Sequence, residues 1–338
     1  MLYRLRSKRL KLTLPSLALI FSCLFLPQLQ AIKFIPVNSY SLNPFMAGQS
    51  LLQPQHWIAP GDDQLSIRLQ VEAANYSIKT EAAKESIILD GEIYQSIVHL
   101  HYSVSEQVSV KGSVPYIHYA GGIMDDAIEQ WHRWFGLSNS RRTEFPSRQL
   151  HFEYLVNGVS QTRVIGPTDG LGDIRLGLDI LPEYLAGKNR SLSFSLDLKL
   201  RTGDPDRLTG SGSTDFGLSL HAITHRVPST PLSLYGGLGV IFPGKGKIIS
   251  TPQEALIYSA YTGIHWNATK RLVLTTQLNL QTAVYESTLN ELDKNSSQLL
   301  FSATYQAATD LLYQLSFGEN LYTDATPDFS LHFAVLFR

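Results

Sequence analysis

Between Ser191 and Arg201 apolar and polar residues alternate without a break: Leu192, Phe194, Leu196, Leu198 and Leu200 fall on one face, Ser193, Ser195, Asp197, Lys199 and Arg201 on the other. A period of two predicts a β-strand, because successive Cβ atoms point to opposite sides of the pleat. About ten residues suffice for a tilted strand to cross the hydrocarbon layer of a bilayer. The same pattern recurs in 65–74, 92–102, 108–118, 173–181, 216–225, 232–242, 256–266, 271–281, 299–306, 311–318 and 328–338. In the first of these, Leu65, Ile67, Leu69 and Val71 oppose Arg68, Gln70 and Glu72.

A soluble β-sandwich alternates too, so periodicity alone does not choose. Three further features predict a membrane barrel. The apolar rows carry no charged residue. Aromatics gather at the row ends (Tyr94, Tyr102, Tyr116, Phe242, Tyr258, Trp266), as interfacial girdles do. Connections alternate between short (226–231, 267–270, 307–310) and long (243–255, 282–298, 319–327). The fold predicted is all-β: a transmembrane antiparallel up-and-down β-barrel of about twelve strands over 65–338. One long extracellular excursion, 119–170, is predicted to carry a short helix, 125–135, and a hairpin, 150–164, turning at Asn157-Gly158. Phe329, Leu331, Phe333, Val335 and Phe337 form an aromatic-ended last row that resembles an assembly signal for outer-membrane barrels.

The first 31 residues change the picture of charge and location. Arg4, Arg6, Lys8, Arg9 and Lys11 precede an apolar run from Leu12 to Leu26 and then Pro27–Ala31, the pattern of a cleaved secretory signal peptide. Leu29 is larger than the usual small residue near such a site, which blurs the exact bond. Cys23, the only cysteine, lies inside this run, where a lipoprotein site is the competing reading. The rest of the chain therefore has no thiol chemistry. The segment holds five of the 28 basic residues and no acid, leaving 23 basic against 29 acidic residues, which argues against a nucleic-acid partner. Residues 32–64 are rich in Pro, Ser and Gln without sustained period and are expected to form an irregular leader on the periplasmic side.

Several stretches resemble the uncharacterised bacterial family known as domain of unknown function 3187. They are Asn43-Pro44-Phe45, Leu89-Asp90-Gly91-Glu92, Pro115-Tyr116, Gly121-Gly122, Ile128-Glu129-Gln130-Trp131-His132, Phe135-Gly136-Leu137, Gly170-Leu171-Gly172-Asp173, Thr202-Gly203-Asp204 and Leu208-Thr209-Gly210-Ser211-Gly212. The resemblance implies a protein of the bacterial envelope and carries no activity with it.

Candidate chemistry adds little. Gly239 to Gly246 nearly spells a phosphate-binding loop, but Gly246 and Lys247 replace the Ser or Thr and the helix start that such a loop needs. Asp204, Asp206 and Asp215 match no calcium-loop spacing. His99, His101, His221, His225, His265 and His332 share lumen-facing parity on several strands, which suits polar lumen filling better than a metal site. No metal site, cofactor or catalytic residue is assigned. Ser96 is the one nucleophile in the lipid-facing rows considered, and no His accompanies it there.

The function expected is a narrow channel or uptake pore for small solutes in the outer membrane of a Gram-negative bacterium. Its lumen would be lined by Arg68, Glu72, His99, His101, Lys111, Arg175, Asp179, Asp197, Lys199, Arg201, His221 and His265, mixed in sign. Ile128, Trp131, Trp134 and Phe135 in the long excursion would form a plug or gate. Its partners would be outer-membrane lipid and the barrel-assembly machinery, the latter through the last strand. The alternatives are an enzyme acting on lipid or lipopolysaccharide at the rim, built from His118, His132, Glu129 or His151, and a structural or binding barrel without transport.

Overall fold

The computed structural model describes residues 35–39, 42–46, 65–125, 130, 133–134, 146, 148–187, 190–224, 227–321, 327 and 329–338. The strands in them are β1 (Leu65–Ala82), β2 (Glu85–Ser103), β3 (Val108–Ala120), β4 (His151–Val156), β5 (Val159–Val164), β6 (Thr168–Leu171), β7 (Arg175–Ile180) and β8 (Arg190–Lys199). They continue with β9 (Asp215–Thr224), β10 (Leu232–Phe242), β11 (Ile257–Asn267), β12 (Leu272–Gln281), β13 (Ser296–Gln306), β14 (Leu311–Asn320) and β15 (Phe329–Phe337).

Twelve of these close on themselves. β1, β2, β3 and β7 to β15 pair in antiparallel succession, and β1 also pairs with β15, so Leu69 has Val98 and Val335 as cross-strand neighbours. The wall is a closed twelve-strand antiparallel barrel with no free edge. Its polarity is inverted relative to a soluble protein. Leu69, Val71, Leu100, Leu196, Leu218, Ile264, Leu315 and Phe333 are exposed on the outer surface, while Arg68, Gln70, Glu72, Lys199, Gln277 and His332 are buried inside. An apolar exposed surface of this extent is suited to lipid contact. Paired rings, Phe301 on Phe317 at 5.1 Å and Tyr313 with Phe333 at 6.4 Å, add to that outer surface.

β1 and β2, at 18 and 19 residues, outgrow the membrane, and their side chains mark where. The inward row of β1 changes from polar (Arg68, Gln70, Glu72) to apolar (Ala74, Tyr76), while the other row changes from Leu69 and Val71 to Asn75 and Ser77. Below this level the strands are built for lipid outside and water inside; above it they are built as in a soluble protein. Gly91 sits near this level on β2, where the strand exchanges one partner for another: Glu92 pairs with Ala120 of β3, Asp90 with His151 of β4. Its φ of +142° favours glycine, and a Cβ there would lie 2.7 Å from Leu150 Cδ1. The hairpin β4–β5 turns at Asn157 and Gly158, both with positive φ, as expected of an Asn-Gly turn.

The long-connection end is capped. Ile87, Leu89, Phe152, Tyr154, Leu208, Ile248, Tyr285 and Leu292 belong to one buried apolar cluster contributed by β2, β4 and three long connections. Backbone bonds stitch those connections together: Lys247 N–H to Ser211 O at 2.8 Å, Glu254 N–H to Val284 O at 3.0 Å, and Glu286 N–H to Pro252 O at 2.9 Å.

Candidate functional site: the barrel lumen

Polar residues meet in the lumen because inward positions of neighbouring strands stand side by side. Lys111 of β3 reaches Asp179 of β7 at 2.8 Å and Asp197 of β8 at 3.0 Å. Ser195 donates to Asp179 at 2.6 Å and lies 3.1 Å from His221 Nε2, whose Nδ1 is 2.6 Å from the Tyr261 hydroxyl. On the far wall Arg68 donates to Gln70 at 2.7 Å and Gln314 at 2.5 Å, and His332 meets Glu72 at 3.0 Å. An aromatic strip crosses β10 and β11, with Tyr235 stacked on His265 at 4.9 Å between centroids. The charges in these clusters meet opposite charges or amides, and Arg68 and Arg175 stand in register on either side of His99 and Ser113.

Residues 35–39 of the leader lie in this lumen. Expected outside the barrel on the periplasmic side, the leader's described residues are instead enclosed by the wall. Ile35 packs against Val273, Leu312 and Leu336 near the short-connection end. Gln314 donates to Pro36 O at 3.4 Å and Gln70 to Asn38 O at 3.0 Å. Gln277 accepts from Val37 N at 3.3 Å and donates to Val37 O at 2.9 Å, and Ser39 donates to Gln298 at 3.2 Å. Further along, Leu42, Phe45 and Met46 enter the apolar cap. Asn43 accepts from Phe45 N at 3.0 Å, and Tyr285 donates to Phe45 O at 3.0 Å. The physical reason for the departure is that a segment with neither charge nor period has peptide groups that need partners, and the lumen amides supply them.

Of the residues expected to line the lumen, Arg68, Glu72, Arg175, Asp179, Asp197, Lys199, His221 and His265 lie buried on the inner side, with His99, His101 and Lys111 partly buried there. His99 lies 2.9 Å from Ser113 Oγ, His101 3.7 Å from Asp179, and His265 2.6 Å from Thr275 Oγ1. Arg201 is the exception: β8 ends at Lys199, and Arg201 is exposed in the connection beyond it. His225 lies outside the described residues, as do Ile128, Trp131 and Phe135 of the expected gate; Trp134 is 71% exposed. His132 and Glu129 also lie outside them, and Ser96 and His118 are exposed. Among the described residues no group of three or more His, Cys, Asp or Glu is disposed to hold a metal ion. The loop resembling a phosphate site uses its donors internally, Gly244 N–H on Asp215 at 2.9 Å and Gly246 N–H on Gln253 at 2.7 Å.

Residues 13–338 match the family described as "Protein of unknown function (DUF3187)". The chain belongs to that family. No curated protein matches it. Among solved structures it is similar to the COG4313 outer membrane channel from Pseudomonas putida F1, with 13% identity, 83% of this chain and 99% of that one covered, and a TM-score of 0.54. The KdgM porin (8% identity, 81% and 98% covered, TM-score 0.42) and the NanC porin (6%, 81% and 99%, 0.45) are also similar. The first of these shows the fold, that of a twelve-strand outer-membrane channel.

In this DUF3187 chain several of the stretches quoted above come together. Asp173, beside the β3–β7 junction, accepts backbone N–H groups from Thr202 at 3.1 Å, Gly203 at 3.0 Å and Ser211 at 2.8 Å. Lys199 meets Asp173 at 3.2 Å and Asp215 at 2.8 Å. Thr202-Gly203-Asp204 and Ser211 are thus tied to Gly172-Asp173, folding the connection after β8 over the mouth. Asp204 caps the next turn through Asp206 N–H at 2.9 Å.

Reasoning from sequence missed the four glutamines that hold the leader. Two signals pointed to them. Gln70, Gln277 and Gln314 share lumen parity with Arg68, Thr275 and Ser316, and residues 34–61 contain no Lys, Arg, Asp or Glu, which is unusual for a solvated leader.

Proposed function

We propose that this protein is a narrow outer-membrane channel for small polar solutes, held closed in this conformation by residues 35–39 and 42–46 of the leader. The signal peptide, 1–31, is removed on export, and the short-connection end faces the periplasm. The observation that carries the reading is the leader inside the wall, gripped by Gln70, Gln277, Gln298 and Gln314 on strands β1, β12, β13 and β14. Twelve strands enclose a bore between one that side chains fill and a wide aqueous pore, so a single extended segment is enough to obstruct it. The polar inner rows leave a hydrated path once that segment moves.

Planar-bilayer recording on refolded protein tests this. Ile35→Asp places a carboxylate among Val273, Leu312 and Leu336, where burial of a charge without a partner is costly, and unseats the leader. The wild type is expected to open rarely and the variant to conduct steadily. Equal, steady conductance from both would refute closure by the leader; silence from both would refute the channel.

A further inference from the structure

The grip on residues 36–38 is a grip on peptide groups. Gln314 reaches the carbonyl of Pro36, Gln277 both the N–H and the carbonyl of Val37, and Gln70 the carbonyl of Asn38. Just beyond this stretch, Ser39 is held through its hydroxyl, by Gln298. A primary amide presents a donor and an acceptor side by side, so Gln277 pairs with Val37 much as a residue of a neighbouring β-strand would. The leader's particular sequence enters mainly at Ile35, whose aliphatic side chain fills the socket of Val273, Leu312 and Leu336. Any uncharged, extended oligopeptide with an aliphatic residue at that point presents the same groups. Nearest the grip, Arg68 donates to Gln70 and Gln314, the same amides that reach Asn38 and Pro36, and further round the wall Lys111 is met by Asp179 and Asp197.

We infer that the lumen is a binding site for extended oligopeptides, and that residues 35–39 occupy it as the chain's own stand-in for such a solute. A sugar chain of similar length offers hydroxyls but no alternation of N–H and carbonyl, and meets the glutamines less completely. The inference rests on the reading of the lumen as a solute path, and its test separates the two.

The test uses two opened forms, one lacking residues 35–46 and one full-length carrying Ile35→Asp and Val37→Asp. The probes are the capped pentapeptide Ile-Pro-Val-Asn-Ser, the same peptide N-methylated at valine, the capped pentapeptide Ile-Ala-Val-Ala-Ala, and maltopentaose. Both unmethylated peptides are expected to interrupt single-channel current with dwell times at least tenfold longer than maltopentaose, and N-methylation to shorten them at least fivefold. Maltopentaose blocking as long as the peptides, or N-methylation without effect, overturns the inference and leaves the channel intact. Should neither form conduct, the channel reading falls. Fluorescein-labelled peptides are then titrated against both forms in detergent. Saturable binding weakened at least fivefold by N-methylation upholds the peptide site; its absence overturns it.

Discussion

Lys199 and Asp215 meet at 2.8 Å with neither side chain reaching solvent, and Asp173 completes the group at 3.2 Å from the same ammonium. Removing the cation alone would leave two buried carboxylates facing each other. Breaking a buried pair in this way costs about 3–5 kcal/mol. Lys199→Met should therefore lower the temperature at which the barrel loses its folded electrophoretic mobility, whereas Arg201→Met, two positions on and exposed, should not. Matching transitions for the two variants would show that the group does not hold the mouth together.

The cap has an acid-sensitive latch. At the tip of the β1–β2 hairpin, Glu85 accepts from Thr288 N and Oγ1 at 2.6 Å each, from Ser287 and Thr251 hydroxyls at 3.1 Å, and from Tyr154. Burial alone would raise its pKa, but the bonds from Thr288, Tyr154 and Ser287 outweigh it and lower the carboxyl from 4.5 to about 2. A depressed folded-state pKa stabilises the charged form, so the latch acts fully above about pH 4.5 and is lost as pH falls toward 2. Wild-type openings should become frequent only in that acid window. Glu85→Gln should show them at pH 7, with severalfold faster thermolysin cleavage in 243–256 and 282–295. A variant that behaves as wild type at both pH values would dismiss the latch.

Tyr235 lies across its cross-strand partner Gly263, where an added Cβ would fall 2.2 Å from the ring. The ring's position lets its hydroxyl donate to Gln277 at 2.6 Å, which in turn holds Val37. Gly263→Val should displace the ring and destabilise the barrel by about 1–3 kcal/mol, as overpacking does. Tyr235→Phe keeps the packing and removes one hydrogen bond, worth about 0.5–1.5 kcal/mol. Thermal unfolding in detergent should rank them wild type, Tyr235→Phe, Gly263→Val. The reverse order for the variants would mean that the ring is not seated on the glycine.

The barrel wall was legible because lipid outside and water inside impose a period of two that few other environments impose so cleanly. Leu69 and Val71 against Arg68 and Gln70, or Leu196 and Leu198 against Asp197 and Lys199, mark the strands, and the charge-free apolar rows with aromatic ends choose the barrel over a sandwich. Alternation misled where the surroundings change. Above Ala74 the two faces of β1 trade polarity, so Tyr76 and Ser77 read as a connection although the strand continues to Ala82. The mouth cluster was out of reach for another reason. Lys199, Asp173 and Asp215 are paired across a connection whose path is set by backbone bonds to one carboxylate, and spacing along the chain does not encode that. The leader was the least legible part, since its order comes from Gln70, Gln277, Gln298 and Gln314, all remote in sequence, and only their inward parity and its lack of charge pointed to it.

Chemical cross-linking measures the leader's position most directly. Ser39 and Gln298 touch at 3.2 Å through side-chain atoms, and Cys23 is the only native thiol. In a Cys23→Ser background, Ser39→Cys and Gln298→Cys together should be joined by a short bifunctional thiol reagent in intact membranes, and should resist a bulky maleimide. Ready maleimide labelling at position 39, with no cross-link to position 298, would place the leader outside the barrel and contradict the account.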